Sequence, residues 1–543
     1  MPAFPPDSRA DGASPIYDVL INGGGPVGMG LAIELGQRGL RVAVVERYFS
    51  PQPVPKGQNL TQRTTEHFHF WGCERELRNA HPIPEGGGIG GITCYGTLLG
   101  EHHYNWLDRS KVRDFYFTQN ARLPQYATEE VLRRRAAQID TIDILYGWEG
   151  VALSQDAGGA RLTIRELDGG RQRDLAGRYL VGCDGSRSFV REAAGITQTH
   201  EEHRRLMALL VFTSLELDDL LKRYPGKAFY NVLNPRYDGY WLFFGRVDHG
   251  TSWFFHAPVP LGTTADNFDF RAFLHEAVGC EFDLTIDYTG FWDLRFAQAD
   301  NYRKGSVFLA GDAAHSHPPY GGYGINSGLE DAVNLGWKLA AVLQGWGGDA
   351  LLDSYHDERH AVFASTIRDF IARFIQDDRD FLRRYAPERD AAEFQRRWHE
   401  RGLDAREVLT FEPHYEGSPI VIGGDARPSA VGRHEFRARP GHHLAPHVLS
   451  DGRNMYDLLG RDHVLLVLAG ADDRNVDMLR AQARKASMPL TVIEERDAAM
   501  REAYGASLIL VRPDQFVAWV GDATPPENLV MKACAAIPGL SLR

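Results

Sequence analysis

At 543 residues the chain exceeds what one hydrophobic core usually holds, so two or three structural units are expected. With 43% hydrophobic and 24% charged residues, the composition is ordinary for a globular protein and excludes wholesale disorder. A net charge of −12, with no basic stripe to offset it, excludes a nucleic-acid binder, although local backbone donors can still hold the phosphates of a dinucleotide.

Residues 1–14 are polar and Pro-rich, lack a basic segment leading into an apolar core, and read as a flexible tail rather than a secretory signal. Tyr17 to Ile21 reads as a strand, Pro26–Arg38 as a helix stopped by Gly39, and Leu40–Glu46 as a second buried strand. Such a βαβ unit predicts a parallel sheet. Its turn, Gly23-Gly24-Gly25-Pro26-Val27-Gly28, matches G-x-G-x-x-G. Gly23 permits the tight turn, Gly25 lets the backbone approach a pyrophosphate, and Gly28 lets the helix pack closely on the strand. Glu46 follows about 20 residues on, where an acidic residue accepts hydrogen bonds from a ribose. The fingerprint serves NAD and FAD alike.

Further along, Tyr179–Arg191 runs from a strand through Asp184-Gly185 into a basic helix start. Tyr240–Arg246 and Thr251–Ala257 are aromatic-rich and flank Asp248-His249-Gly250, the hairpin of an inserted antiparallel sheet. Val307–His315 places Gly311-Asp312 at the end of another buried strand. Leu329, Val333, Gly336, Ala340 and Leu343 recur at helical steps and predict a helix over Asn326–Leu343, with Ser327 and Glu330 as its capping box. Charged helices follow over Asp353–Arg401, and residues 403–440 read as a linker rich in Gly, Pro and charge. Strands at His463–Ala469, Leu490–Glu494, Leu508–Arg512 and Phe516–Val520 form a separate α/β unit. The five cysteines (Cys73, Cys94, Cys183, Cys280 and Cys534) are scattered and form no Cys-x-x-Cys pair. No metal site, disulfide framework or dithiol centre is expected, and a reducing cytoplasm is the natural compartment. No apolar run is long enough to span a bilayer.

The three glycine- and aspartate-bearing segments, in this order, resemble the fingerprints of the class A flavoprotein aromatic hydroxylases, the p-hydroxybenzoate hydroxylase-like family, from about Tyr17 to the end of the chain. The resemblance implies an α/β protein: a Rossmann-like FAD-binding domain over 15–200 and 296–402, with some substrate-domain strands near 85–120. It implies an inserted substrate-binding β-sheet over 201–295 and, over 441–543, a thioredoxin-like domain that here lacks Cys-x-x-Cys. FAD is the implied cofactor and NADH or NADPH the transient co-substrate. The implied partners are a small aromatic substrate and O2, with neither nucleic acid nor membrane; a homodimer contact is compatible with the C-terminal unit.

The implied FAD ligands are Gly23, Gly25, Pro26, Val27, Gly28, Glu46, Arg47, Lys56, Arg63, Gln125, Asp184, Gly185, Asp312, Pro319, Gly322, Gly324, Ile325 and Asn326. Asp312 would accept hydrogen bonds from the ribitol chain, and Asp184-Gly185 would border the nicotinamide path. The amides of Gly324, Ile325 and Asn326 would meet the flavin's pyrimidine edge as an oxyanion hole does. Pro319, Tyr320, Gly321 and Tyr323 would wall the flavin beside the substrate. Substrate candidates are Tyr240, Phe243, Phe254 and Pro318, with alternation allowing only half of the sheet's aromatics to face the pocket. His249 and His256 could assist phenol deprotonation, but no base is identifiable.

The chemistry implied is reduction of FAD by NAD(P)H, formation of a flavin hydroperoxide and attack on it by an electron-rich ring. Within the fold, a tailoring oxygenase for a polycyclic polyketide, by hydroxylation or Baeyer–Villiger chemistry, is the alternative; outside it, a non-oxygenating flavin dehydrogenase. Two departures stand out. Tyr323 replaces the Gln or basic residue of many relatives, and Lys56 replaces an Arg that some relatives use in moving the flavin.

Overall fold

The protein, seen in a computed structural model, is described over residues 17–83 and 88–535; the expected tail over 1–14 lies outside the described residues. Tyr17–Asn22 and Val42–Glu46 are the expected first strands, joined by the helix Pro26–Gly36. They lie in a sheet ordered Arg303–Lys304, Val307–Leu309, Gln172–Gly182, Tyr17–Asn22, Val42–Glu46, Ile142–Tyr146. From Val307–Leu309 onward each neighbour is parallel, with Asn22 in register with Gly182 and Val45, and Gly182 with Leu309. Three loops far apart in sequence therefore leave one edge of the sheet side by side, where α/β sheets bind ligands.

The inserted sheet runs in the order 315–316, 285–299, 198–213, 252–259, 242–246, 227–233, 90–95, 103–106. It is antiparallel except for one pair. Lys227–Leu233 and Gly90–Tyr95 run parallel because the latter enters by crossover from the FAD-binding part instead of by a hairpin. Alternation divides its faces. Tyr230, Phe244, Trp253 and Phe255 pack beneath the helix Phe270–Val278, whereas Phe229, Asn231, Phe243, Phe254 and His256 take the other face.

The long helix spans Tyr323–Leu343, three residues earlier than the periodicity predicts. Gly321 and Gly322, at φ of +65° and +73°, make the left-handed turn that starts it, with Gly322 as N-cap. The expected capping box is absent: Ser327 and Glu330 lie within the helix, and Glu330 accepts from Arg63 and His67. A tertiary ion pair outcompetes the local cap.

Residues 403–440 are not a loose linker. Tyr415, Ile420 and Ala430 are buried, and the helix Arg406–Thr410 and strands Phe411–His414 and Ser429–Val431 pack against the body. The last unit has the order 490–495, 463–468, 508–511, 517–521, the first pair parallel and the others antiparallel, with helices at Asp473–Lys485, Ala498–Tyr504 and Leu529–Ala533. That arrangement suits the thioredoxin-like expectation. Cys534 is buried among apolar neighbours.

A buried charge cluster joins this unit to the body. Arg512 donates to both oxygens of Glu358 (2.7 and 2.9 Å) and to Asp514; Lys338 (2.7 Å), Asn334 (2.7 Å) and Ser418 (2.6 Å) complete the shell of Glu358. Burial alone would raise the Glu358 carboxyl, but Arg512 and Lys338 hold it well below the usual carboxylate range. Its stabilisation is therefore present above that range and is lost as pH falls. Arg512→Met should lower stability by about 3–5 kcal/mol at neutral pH. Thermal denaturation across pH should show the gap to the unaltered protein narrowing on acidification.

Candidate active site

The first loop is shaped by steric need. A Cβ on Gly23, at φ +110°, would lie 2.3 Å from the Cys183 carbonyl oxygen, and one on Gly28 1.9 Å from that of Gly23. Gly25 is the extended N-cap, with open space about its Cα and Pro26 in the first turn. The helix's first amides are thus approachable. Glu46 is buried at the end of its strand and accepts from the amides of Gly24 (2.7 Å) and Tyr48 (2.7 Å), tying the two ends of the βαβ unit together. Arg47 is exposed beside it, over the Tyr48 ring. Val27 would stand 2.9 Å and 2.6 Å from Cβ atoms on Gly311 and Gly328, so only glycines there let the first loop nest against the third.

In the second loop the Asp184 carboxylate is engaged by the protein: it accepts from Asn22 (3.1 Å), the Val190 amide (3.1 Å) and the Ser188 hydroxyl. It pins the turn to the first strand. Gly185, at φ +83° with open space around it, leaves the backbone free for a ligand.

Asp312 sits in the short turn Gly311–Ala313 and is accessible to solvent, yet its carboxyl is raised by desolvation, opposed by His315, Lys56 and Arg295. Asp331 holds this turn, accepting from the Gly311 amide (3.0 Å), His315 Nε2 (2.6 Å) and Arg359 Nε (2.6 Å). Around the start of the long helix, Gln125 Oε1 accepts from the Gly57 amide (3.3 Å), and a Cβ on Gly57 would lie 3.3 Å from Ile325. Lys56, Gly57, Gln125 and Ile325 therefore assemble at one place.

The helix's early start shifts the approachable amides to Tyr323, Gly324 and Ile325. Asn326 instead acts through its side chain, accepting from Thr61 N and Thr64 Oγ1 and donating to the Asn59 and Gly322 carbonyls. Arg63 leaves no donor for a cofactor. All five of its N–H bonds have protein acceptors: Glu330 twice, Glu66, Gln515 and the Asp514 carbonyl.

Pro318 and Pro319 lead into Tyr320, which is buried against Trp241 (4.8 Å between centroids) and Trp106 (5.8 Å). Tyr240 is buried nearby, beneath Arg205 and Arg379. A cavity of about 520 Å³ opens here, lined by Trp106, Asn231, Tyr320, Phe374, Arg401 and Glu407 among others. Phe243 packs against Trp106, and Phe254 against Phe243.

Glu407 escaped sequence reasoning, since it stands in the segment read as a linker and in no motif. Its two oxygens accept from Trp106 Nε1 (3.1 Å) and from the hydroxyl of Tyr323 (3.1 Å). Desolvation raises its carboxyl to about 7, against the lowering effect of those bonds and of Arg109 and with a further push upward from Asp378. A carboxyl titrating near neutrality in a cavity wall is suited to general-base work. His249 is exposed in its hairpin turn, and His256 is buried and lowered to about 4 by desolvation. Elsewhere, His414, Glu416 and His442 have ligand-type atoms within 4.8 Å of one another, and His442 is bracketed by Glu412 (3.0 Å) and Glu416 (3.3 Å).

The open glycines at the first two loops, the solvent-accessible Asp312 and the half-buried helix start would suit an FAD with its pyrophosphate at the Gly25 helix and its flavin end at Gly322–Ile325.

Comparisons with known proteins agree. Residues 16–369 match the family model for the FAD binding domain and residues 437–539 that for the aromatic-ring hydroxylase C-terminal domain. The chain is 32% identical over 554 residues to 4-methyl-5-nitrocatechol 5-monooxygenase of Burkholderia sp., covering 96% of this chain and 97% of that one. It superposes on the rebeccamycin biosynthetic enzyme RebC with reduced flavin at a TM-score of 0.82, with 28% identity over 97% of this chain and 100% of that one. With aklavinone-11 hydroxylase, solved with FAD and aklavinone, the TM-score is 0.80 and identity 25%, over 96% and 100% of the two chains. The chain belongs to the FAD-dependent aromatic-ring hydroxylases and is a monooxygenase.

Asp312→Asn should weaken FAD binding about tenfold, roughly 1–2 kcal/mol for a charge-assisted hydrogen bond. Flavin-fluorescence titration of the apoprotein measures it, and unchanged affinity would remove Asp312 from the cofactor site.

Proposed function

We propose that the cavity beside Tyr320 receives a phenolic substrate, that NAD(P)H supplies the electrons, and that Glu407 takes the phenol proton. The observation that carries this reading is a carboxyl raised to about 7 and held by Trp106 and Tyr323, the latter in the turn that begins the helix at the flavin end. FAD, when bound, accepts hydride from NAD(P)H, activates O2 and delivers one oxygen atom to the ring.

The chain's own residues do the rest. The Pro318-Pro319 pair has no N–H to donate, so the wall offers rigidity without a competing hydrogen bond. Tyr320, Trp106 and Phe243 supply apolar edges and faces that exclude water and orient a ring. The amides of Tyr323, Gly324 and Ile325 favour negative charge at the helix start. Glu407, once ionised, accepts a proton at either carboxylate oxygen and raises electron density on the ring, while Trp106 and Tyr323 keep it aimed. The turn at Asp184-Gly185 is the entry we assign to the nicotinamide.

A second reading is favoured by size. A cavity of about 520 Å³ lies within the range that holds drug-sized ligands. Since a structural relative is complexed with aklavinone, a polycyclic aromatic substrate is the alternative to a single-ring phenol. Mass spectrometry of products made with labelled O2, over a panel of one-ring and fused-ring phenols, separates the two.

Glu407→Gln should reduce turnover by about 10²–10⁴-fold, with FAD content unchanged. In the unaltered enzyme, kcat/KM should climb as pH rises through about 7 and Glu407 ionises, and the variant should lose that acid limb. A limb that survives in the variant would discard Glu407 as the base.

A further inference from the structure

Arg122 lies in the small ladder that pairs Ala121–Arg122 with Asn59–Leu60, and the whole residue is 3% exposed. Its guanidinium reaches the inserted sheet, 4.8 Å from the Phe229 ring centroid and 5.9 Å from that of Phe254. A Cβ on Gly245, between those two rings on the neighbouring strand, would come within 2.7 Å of Nη2, so glycine is what admits the group. Nε and Nη2 have no hydrogen-bond partner among the described residues; the Tyr230 phenol favours the charge, His81 lies close to it, and no carboxylate among the described residues pairs with it.

That isolation is unusual within this molecule. Arg63, Arg359 and Arg512 are buried with Glu330, Asp331 and Glu358 respectively. Arg133, Arg401 and Arg439 also leave one nitrogen unbonded and Arg109 leaves two, but each has a carboxylate acting on it: Glu129, Asp378, Glu412 and Glu407 respectively. A buried cation without a counter-ion is costly, and here desolvation lowers the guanidinium to about 9.

The same sheet face carries further unmet polar groups. Thr93, Asn231, Phe243 and His256 stand in one cross-strand row, next to the row of Phe229, Gly245 and Phe254. Asn231 Oδ1 and His256 Nδ1 are buried without a hydrogen-bond partner among the described residues, and Thr93 is buried beside Tyr104, its neighbour across the strands. Asn231 also lines the cavity shared by Tyr320 and Glu407. Asn59, opposite Arg122 in the ladder, is tied to the flavin-side turn through Asn326 and lies against Gly322.

We propose that Arg122 is the anchor for a carboxylate on the aromatic substrate. The two unmet nitrogens, Nε and Nη2, form the side of the guanidinium fork that a carboxylate accepts in bidentate fashion. The flanking phenylalanine faces seat the ring, and the polar row meets its other substituents. This inference rests on the oxygenase reading above and narrows its substrate to aromatic acids.

The test uses FAD-loaded enzyme and three probe pairs: 3-hydroxybenzoate, 3-hydroxyphenylacetate and 3-(3-hydroxyphenyl)propionate, each against its amide. Binding is read from the flavin absorbance change on titration. At least one acid should bind about tenfold or more tighter than its amide. In Arg122→Met that preference should vanish, with the amide's affinity and the FAD content unchanged, and Arg122→Lys should restore part of it. Equal binding of acid and amide in all three pairs, a preference that survives in Arg122→Met, or loss of FAD from that variant would each overturn the proposal. Labelled oxygen entering neutral phenols without any acid preference would do so too, while leaving the oxygenase reading intact. An acid preference without oxygen transfer to any ring would overturn the oxygenase reading alone.

Discussion

The long helix Tyr323–Leu343 carries three ionised side chains and an amide into the protein interior, and the elements packed around it are positioned by the need to satisfy them. Glu330, Asp331, Asn334 and Lys338 are all buried. Asp331 draws in the Gly311 amide, His315 and Arg359; Glu330 draws in Arg63 and His67; Asn334 and Lys338 share Glu358 with Arg512. An uncompensated charge in such surroundings costs several kcal/mol, so the helix has few arrangements that satisfy all partners at once. The turn bearing Asp312 and the C-terminal unit are located by that requirement. A helix held so firmly can present its N-terminal amides at one place, which pre-organised stabilisation of negative charge demands.

Reading the sequence succeeds where the physics is local. A glycine turn between two β-branched strands announces itself because sterics at Gly23 and Gly28 involve neighbours a few residues away or on the adjoining strand. Gly311-Asp312 and Gly321-Gly322 are legible for the same reason, whereas alternation limits how many sheet aromatics share a face and leaves to the strand register that Phe243 and Phe254 do. It fails where a long-range ion pair overrides a local rule. Glu330 has the spacing of a capping box and a stronger partner in Arg63; Arg63 looks like a flavin-side residue and is saturated by Glu330, Glu66 and the C-terminal unit. Asp184 sits in its expected turn, but its carboxylate closes that turn. Glu407 and Arg122 were invisible because nothing near them in sequence reveals which strands or rings they will meet.

The two faces of the inserted sheet follow opposite economies. One is filled by Tyr230, Phe244, Trp253 and Phe255 under a helix and forms an apolar core. The other keeps Asn231 and His256 buried with atoms unbonded, beside a guanidinium with no carboxylate partner among the described residues. Folding alone would favour apolar replacements at such positions, since an unmet buried polar atom costs about 1–3 kcal/mol. Stability withheld from the free protein in this way becomes available on binding, when one ligand meets several unmet groups together. On the proposal that this face receives the substrate, a ligand lacking the matching group would leave them unmet and would be rejected by the same margin, which would make the face a determinant of selectivity as well as affinity. On that proposal, cofactor geometry and substrate choice would rest on separate structures, the charged helix for one and the unfilled sheet face for the other, which meet at the turn from Pro318 to Tyr323.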